Sequence, residues 1–243
     1  KIVNSFLIPF FFIIIYIYRD FYIKKNFFIF CLFSSLIIFL LITNSNVYRP
    51  DAGLYHLPYI NMLNEEKIII GNANLHFRFG HISIIQYTSA IMNNILFDVN
   101  GIVFAGALIA SSIIINFVAN IVSYIKQKRL NFHFFFLLSI FIFIIYKMNR
   151  YSEYGNDAPA HFILFFLVSE ILKNYDREKD GQVSNYYLLS VFIIMNKVTL
   201  INSIIFPLIF IFKKNIFRKS INRKNIFIIF FLFLWCAKNI LVS

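Results

Sequence analysis

Long apolar runs alternate with short, mostly basic connectors along the chain, and that alternation predicts its elements. Residues 2–18 are apolar apart from Asn4 and Ser5, and residues 27–43 apart from Ser34 and Ser35. Each run approaches the roughly 20 residues that cross a hydrocarbon core as a helix. The link between them carries Arg19, Lys24 and Lys25, which the positive-inside rule places in the cytoplasm, so residues 44–101 face the opposite side. Residues 102–125 predict a third crossing, interrupted by small or amide residues such as Gly106, Ser111, Ser112, Asn116 and Asn120 that let helices approach closely. Lys126-Gln127-Lys128-Arg129 marks its cytoplasmic end. Residues 132–146 then lead back out and 158–172 return, which leaves 147–157 on the side of the long loop.

Residues 186–212 need a different solution. As one crossing they would put Lys213, Lys214, Arg218, Lys219, Arg223 and Lys224 outside, against the orientation rule. Two short helices forming a hairpin, with its tip near Asn196-Lys197, satisfy that rule. Residues 226–240 complete about eight crossings, with both chain ends outside.

The 44–101 loop exceeds the length of an unstructured connector and should contain helices of its own. Leu54, Leu57, Ile60 and Leu63 predict an amphipathic helix from about Ala52 to Asn64. Gly71 and Gly80 punctuate the residues after it. In 81–97, Ile84, Ile85, Ile91, Ile95 and Phe97 among Gln86, Ser89, Asn93 and Asn94 suit a segment lying in the membrane interface. The expected architecture is one all-α, polytopic membrane domain over 1–243, with an external loop of interfacial helices.

Composition agrees. With 60% hydrophobic residues, 33 Phe and only 14% charged residues, the chain has too little polar surface to cover a water-soluble globule. A net charge of +12 would suit nucleic acid if it were clustered on one face. Here it lies in short groups between apolar runs, as membrane orientation requires, and no nucleic-acid partner is expected. Cys31 and Cys236 sit in apolar runs without ligand spacing, so neither a disulfide framework nor a metal site is implied. The chain starts at Lys1 instead of Met and stops after an apolar run, which reads as a piece of a longer protein.

On this topology three polar groups meet at the external face: Asp51 with Tyr55 and His56, then Arg150 to Asp157 including Glu153, then Lys197. A cavity with two carboxylates and several cations suits a reaction on a phosphate-linked substrate, one carboxylate acting as general base and cations stabilising the leaving phosphate. Simpler readings stand beside it. Asp51, between Pro50 and Ala52-Gly53, could be a turn residue or helix cap. Asp157 before Ala158-Pro159 matches a helix start. Glu153 has the character of a solvated loop carboxylate, the commonest reading for such a residue, and Lys197 could snorkel to the interface. The spacing of His56, His76 and His81 matches no ligand motif, so hydrogen bonding or packing explains them better than zinc.

Asp51 in DAGLYHLPYI, just after a crossing, together with Asn156-Asp157-Ala158-Pro159 opening a later helix, resembles the GT-C superfamily of membrane glycosyltransferases. Met195-Asn196-Lys197-Val198-Thr199 resembles the Thr-Lys segment of that superfamily's hairpin. The stretch EEKIIIGNANLHFRFGH and the ending Leu234-Trp235-Cys236-Ala237-Lys238-Asn239 are similar to a group of uncharacterised bacterial multi-spanning membrane proteins that look like distant GT-C relatives. The resemblance implies an inverting transferase on the periplasmic side of a bacterial inner membrane. It would move a sugar from a polyprenyl-phosphate donor to a glycan or lipid acceptor of the cell envelope. Asp51 would be the base, and Asp157 would orient the acceptor or a divalent cation. Lys197 would contact the lipid phosphate, and Arg78 or Arg150 are added to that role on chemistry alone. Two features depart from the superfamily's pattern: Ala52 stands where many members carry a second acidic residue, and the C-terminal part that usually completes that fold is absent from the sequence.

Other classes predict other features. A polysaccharide polymerase or ligase generally uses arginine-rich external loops, whereas arginines are few here. A transporter predicts an internal repeat, and none is visible. A membrane scaffold predicts that Asp51, Asp157 and Lys197 are replaceable.

Overall fold

The computed structural model describes residues 50–65, 70–80, 83–151, 154–175, 182–213 and 222–242, together with Ile29, Phe33, Ser34, Leu36, Ile37 and Leu40. Among these residues the fold is all-helical. The expected crossing at 2–18 lies outside them, and the described residues within 27–43 are all helical.

The amphipathic helix expected from Ala52 has a different first turn. A π-turn at Ala52–His56 precedes α1 (Leu57–Glu65). Pro58 supplies the physical reason. It has no N–H to offer the Leu54 carbonyl and its ring crowds that group, so an α ladder cannot run through unbroken. The Leu57 N–H bonds the Ala52 carbonyl instead, the i to i+5 pattern of a π-turn. α2 (Ile84–Met92) is shorter than the 81–97 segment and opens on a capping box. The Ser83 hydroxyl accepts from the Ile85 N–H at 3.3 Å, while the Ser83 N–H donates to Gln86 Oε1 at 2.9 Å. A 3-10 segment, Asp98–Val103, then folds back against α2, where the Ser89 hydroxyl donates to the Ile102 carbonyl at 2.8 Å.

The remaining helices are α3 (Phe104–Lys126), α4 (Phe132–Tyr151), α5 (Asp157–Lys173), α6 (Gln182–Asn196), α7 (Ile205–Lys213) and α8 (Arg223–Val242). Asp98–Lys126 and Arg223–Val242 are long and apolar enough to cross a membrane; Phe132–Lys147 and Val198–Phe212 are apolar but shorter. α8 leaves Phe227 and Phe233 each 67% exposed, and α4 leaves Phe132, Phe135, Ile142 and Ile145 exposed. A core helix of a water-soluble protein would cover such side chains, whereas lipid accepts them.

α5 and α6 form the centre of the bundle, with Phe117, Leu137, Phe162, Leu167 and Ile193 fully buried around them. Polar links add specificity to this packing. His133 on α4 bonds Tyr124 of α3 at 2.8 Å and Ser169 of α5 at 2.9 Å. Ser190 and Ser203 exchange hydroxyl-to-carbonyl bonds at 3.2 and 3.4 Å. These serines lie symmetrically about Asn196-Lys197, so the chain doubles back where the charge argument expects the hairpin tip. α6 ends there, Lys197 is extended (φ −145°, ψ 102°), and a kinked 3-10 stretch, Val198–Ile204, leads into α7.

The C-terminal end of α8 docks on the 51–101 segment. Lys238 Nζ donates to the Tyr87 hydroxyl at 2.7 Å and lies 4.2 Å from the Trp235 ring centroid. The Gly71 N–H, on a left-handed backbone (φ 81°) that favours glycine, donates to the Val242 carbonyl at 3.0 Å. Gly101 is required for a different reason, since a Cβ there would overlap the Met92 carbonyl. At Gly106 the same atom would meet Pro159 Cγ at 3.5 Å, an ordinary contact. Gly101→Ala should therefore cost about 1–3 kcal/mol and Gly106→Ala close to nothing. Thermal unfolding of both variants in lipid nanodiscs checks this, and equal midpoints would refute the close approach.

Candidate functional site

A cavity of about 40 Å³ lies between the π-turn of the 51–101 segment and the α4–α5 connection, and the hairpin tip reaches it through the bond of Lys197 to Asp157. Asp51, Ala52, Tyr55, His56, Tyr154, Gly155 and Asp157 line it. The π-turn supplies Tyr55 and His56, so the distortion enforced by Pro58 shapes one wall. Asp51 flanks that turn, but its side chain makes no capping bond, which removes the cap explanation for it. Asp157 is the first residue of α5, where the helix dipole favours a carboxylate. Asn156, not Asp157, stands at the cap position, and its side chain is turned elsewhere: Nδ2 donates to the Asn196 carbonyl at 2.8 Å.

Lys197 meets Asp157 directly, with Nζ 2.6 Å from Oδ1. The pair is partly exposed at the cavity rather than sealed in the core. On the other wall the Tyr55 hydroxyl shares the cavity lining with Asp51 and accepts from the Arg78 guanidinium at 3.3 Å. That guanidinium also stacks over the Tyr55 ring, 4.9 Å from its centroid. Burial first, and the Asp51 charge second, raise the Tyr55 pKa and keep the phenol protonated.

His56 is buried, and burial lowers its pKa to about 4 even though Asp157 and Asp51 pull the other way. Its Nδ1 lies 3.4 Å from Gln86 Nε2. Ser83, at the start of α2, binds a second element. Its hydroxyl donates to Asn196 Oδ1 at 2.9 Å, and the Ile85 N–H donates to the same oxygen at 3.2 Å. Asn196 Nδ2, buried at the hairpin tip, has no partner among the described residues.

Of the residues singled out by sequence, Asp51, Tyr55, His56 and Asp157 share the cavity, Lys197 is bonded to it through Asp157, and Arg78 sits on its rim. Arg150 belongs to the last turn of α4. Its side chain, and Glu153 and His81 entirely, lie outside the described residues. Ser83, Gln86 and the linking role of Asn196 escaped sequence reasoning, although the S-x-x-Q pattern of Ser83 to Gln86 is a legible helix-start signal. Lys197 bonds one oxygen of Asp157, His56 turns Nδ1 toward Gln86, and the described residues contain no group of three or more His, Cys, Asp or Glu placed to hold a metal ion.

The family model described as Domain of unknown function (DUF8201) matches residues 2–243. No curated protein and no solved structure matches the chain.

The His56 shift makes stability pH-dependent. The folded pKa of about 4 lies below the ordinary value near 6.5, so between these values the unfolded chain binds the extra proton. Stability contributed by the neutral ring is complete above about pH 6.5 and declines as pH falls toward 4. Melting of the protein in nanodiscs from pH 7 to 4.5 should show a fall that is shallower in His56→Gln. Parallel curves would contradict the assignment.

Proposed function

The chain belongs to the DUF8201 family, and we propose that it is a GT-C-like membrane glycosyltransferase with about eight crossings. On this reading it moves a sugar from a polyprenyl-phosphate donor to a cell-envelope glycan or lipid acceptor, at the periplasmic face of a bacterial inner membrane. The observation that carries the proposal is the meeting of Asp51 and Asp157 in one cavity with Lys197 bonded to Asp157. These residues come from segments far apart in the chain.

In the proposed step Asp51 accepts the proton of the acceptor hydroxyl as its oxygen bonds the anomeric carbon. The bond from that carbon to the donor phosphate oxygen breaks on the opposite face, so configuration inverts and polyprenyl phosphate leaves. Lys197 offsets the negative charge that collects on the phosphate, and Arg78 adds a cation at the rim. Asp157 holds Lys197 until the donor phosphate arrives and then orients the acceptor.

A second cavity favours a lipid-linked donor. It has a volume of about 120 Å³ and is lined entirely by apolar side chains, among them Ile84, Phe192, Met195 and Phe231. Met195 and Ile84 adjoin Asn196 and Ser83, which bond each other, so the apolar wall continues to the residue beside Lys197. An isoprenoid chain lying there would bring its phosphate toward that ammonium.

The test is the surface-glycan profile, by gel and mass spectrometry, of a bacterium with the full-length gene deleted and then restored as wild type or Asp51→Asn. A glycan lost on deletion and regained only with wild type is expected, with transfer down roughly 10²–10⁴-fold in the variant. A profile that deletion leaves unchanged would favour transport or scaffolding instead.

A further inference from the structure

We infer that Gln86 acts as a positioning residue, holding His56 as a neutral imidazole that carries its proton on Nε2 and presents that N–H to a substrate oxygen in the Asp51–Asp157 cavity. The role in transfer rests on the glycosyltransferase reading, whereas the tautomer stands on geometry alone.

The Ser83 backbone N–H can only donate, and it points at Gln86 Oε1 at 2.9 Å. That contact fixes the orientation of the amide, leaving the NH2 of Gln86 as the group facing His56. An NH2 can only donate, so His56 Nδ1, 3.4 Å away, is the acceptor and carries no proton. In a neutral imidazole the proton then sits on Nε2. His56 lines the cavity with both carboxylates, and no group among the described residues bonds its Nε2. An Nε2–H on a ring that lines the cavity, with no hydrogen bond to a described residue, is available to a ligand oxygen.

The same arrangement explains why the ring should stay neutral. Asp157 already has Lys197 at 2.6 Å. An imidazolium would add a further cation to Lys197 and Arg78 at the cavity and make Asp51 a weaker base. A proton arriving at Nδ1 would meet the positive end of the Gln86 amide. Gln86 therefore protects the basicity of Asp51 without touching it.

Gln86→Glu separates these effects. A glutamate can still accept from the Ser83 N–H, preserving the capping box that starts α2, but it presents an acceptor to His56 in place of a donor. The full-length protein, 15N-labelled at histidine and held in nanodiscs, should show at pH 7 a pyridine-type Nδ1 and a pyrrole-type Nε2 for His56, assigned by comparison with His56→Gln. In Gln86→Glu Nδ1 should become protonated, either as the Nδ1–H tautomer or as the imidazolium that the added carboxylate favours, and the two are told apart by the Nε2 shift. Gln86→Met, which offers neither donor nor acceptor, should give a mixture of tautomers and serves if the glutamate variant fails to fold. A wild-type ring protonated on Nδ1, or a tautomer that both variants leave unchanged, overturns the assignment. In the deletion strain, folded Gln86→Glu should restore glycan roughly ten-fold less than wild type, the loss expected for a hydrogen bond of about 1.4 kcal/mol. Full restoration despite a switched tautomer overturns the donor role. If deletion itself leaves the glycan unchanged, the transferase reading fails and the spectroscopic result still decides the tautomer.

Discussion

Asn196 joins the helix ends that make the site. Its backbone carbonyl receives Asn156 at the start of α5, and its side-chain oxygen receives the Ser83 hydroxyl and the Ile85 N–H at the start of α2. Asn196 itself ends α6, and the next residue reaches Asp157. With a relative exposure of 2%, the amide is shielded from water that could substitute for these partners. Two helix starts and one helix end are thus held in register by one residue. The distances between Asp51, Asp157 and Lys197 depend on that register.

The packing around this junction is divided by chemistry. Away from it, α3 to α6 meet through fully buried Phe, Leu and Ile side chains, while α4 and α8 turn aromatic and aliphatic side chains outward. In lipid an apolar contact between helices gains little over an apolar contact with acyl chains, so close packing and polar links carry more of the specificity. The His133 link among α3, α4 and α5 and the exchange between Ser190 and Ser203 are of this kind. Lys238 serves the other end, fastening α8 to Tyr87 with an ammonium held against an indole ring.

Much of this is legible in the sequence because hydropathy and charge are strong, long-range signals. Six basic residues after residue 212 are enough to argue for a doubled chain with its tip at Asn196-Lys197, and the helix break falls there. The meeting of Asp51, Asp157 and Lys197 is likewise implied by topology. Local backbone chemistry and tertiary bonding are harder to read. Pro58 lies in plain view, yet periodicity alone registers apolar spacing and not a missing N–H, so it does not reveal the π-turn. Gln86 looks like one more polar residue on an interfacial helix, because its meaning depends on Ser83 behind it and His56 across from it. Arg78, added on chemistry alone, is engaged by the Tyr55 hydroxyl at the rim.

The contact between Asp157 and Lys197 has a consequence for the order of events. While the two are bonded, each occupies the other's strongest interaction. On the transferase reading, a phosphate arriving at Lys197 competes with Asp157 for the ammonium, and the carboxylate it displaces gains a lone pair for an incoming hydroxyl. Donor and acceptor are then linked ligands, and by thermodynamic reciprocity each strengthens the binding of the other. Such coupling would favour filling both halves of the cavity together and disfavour an activated donor standing alone beside water.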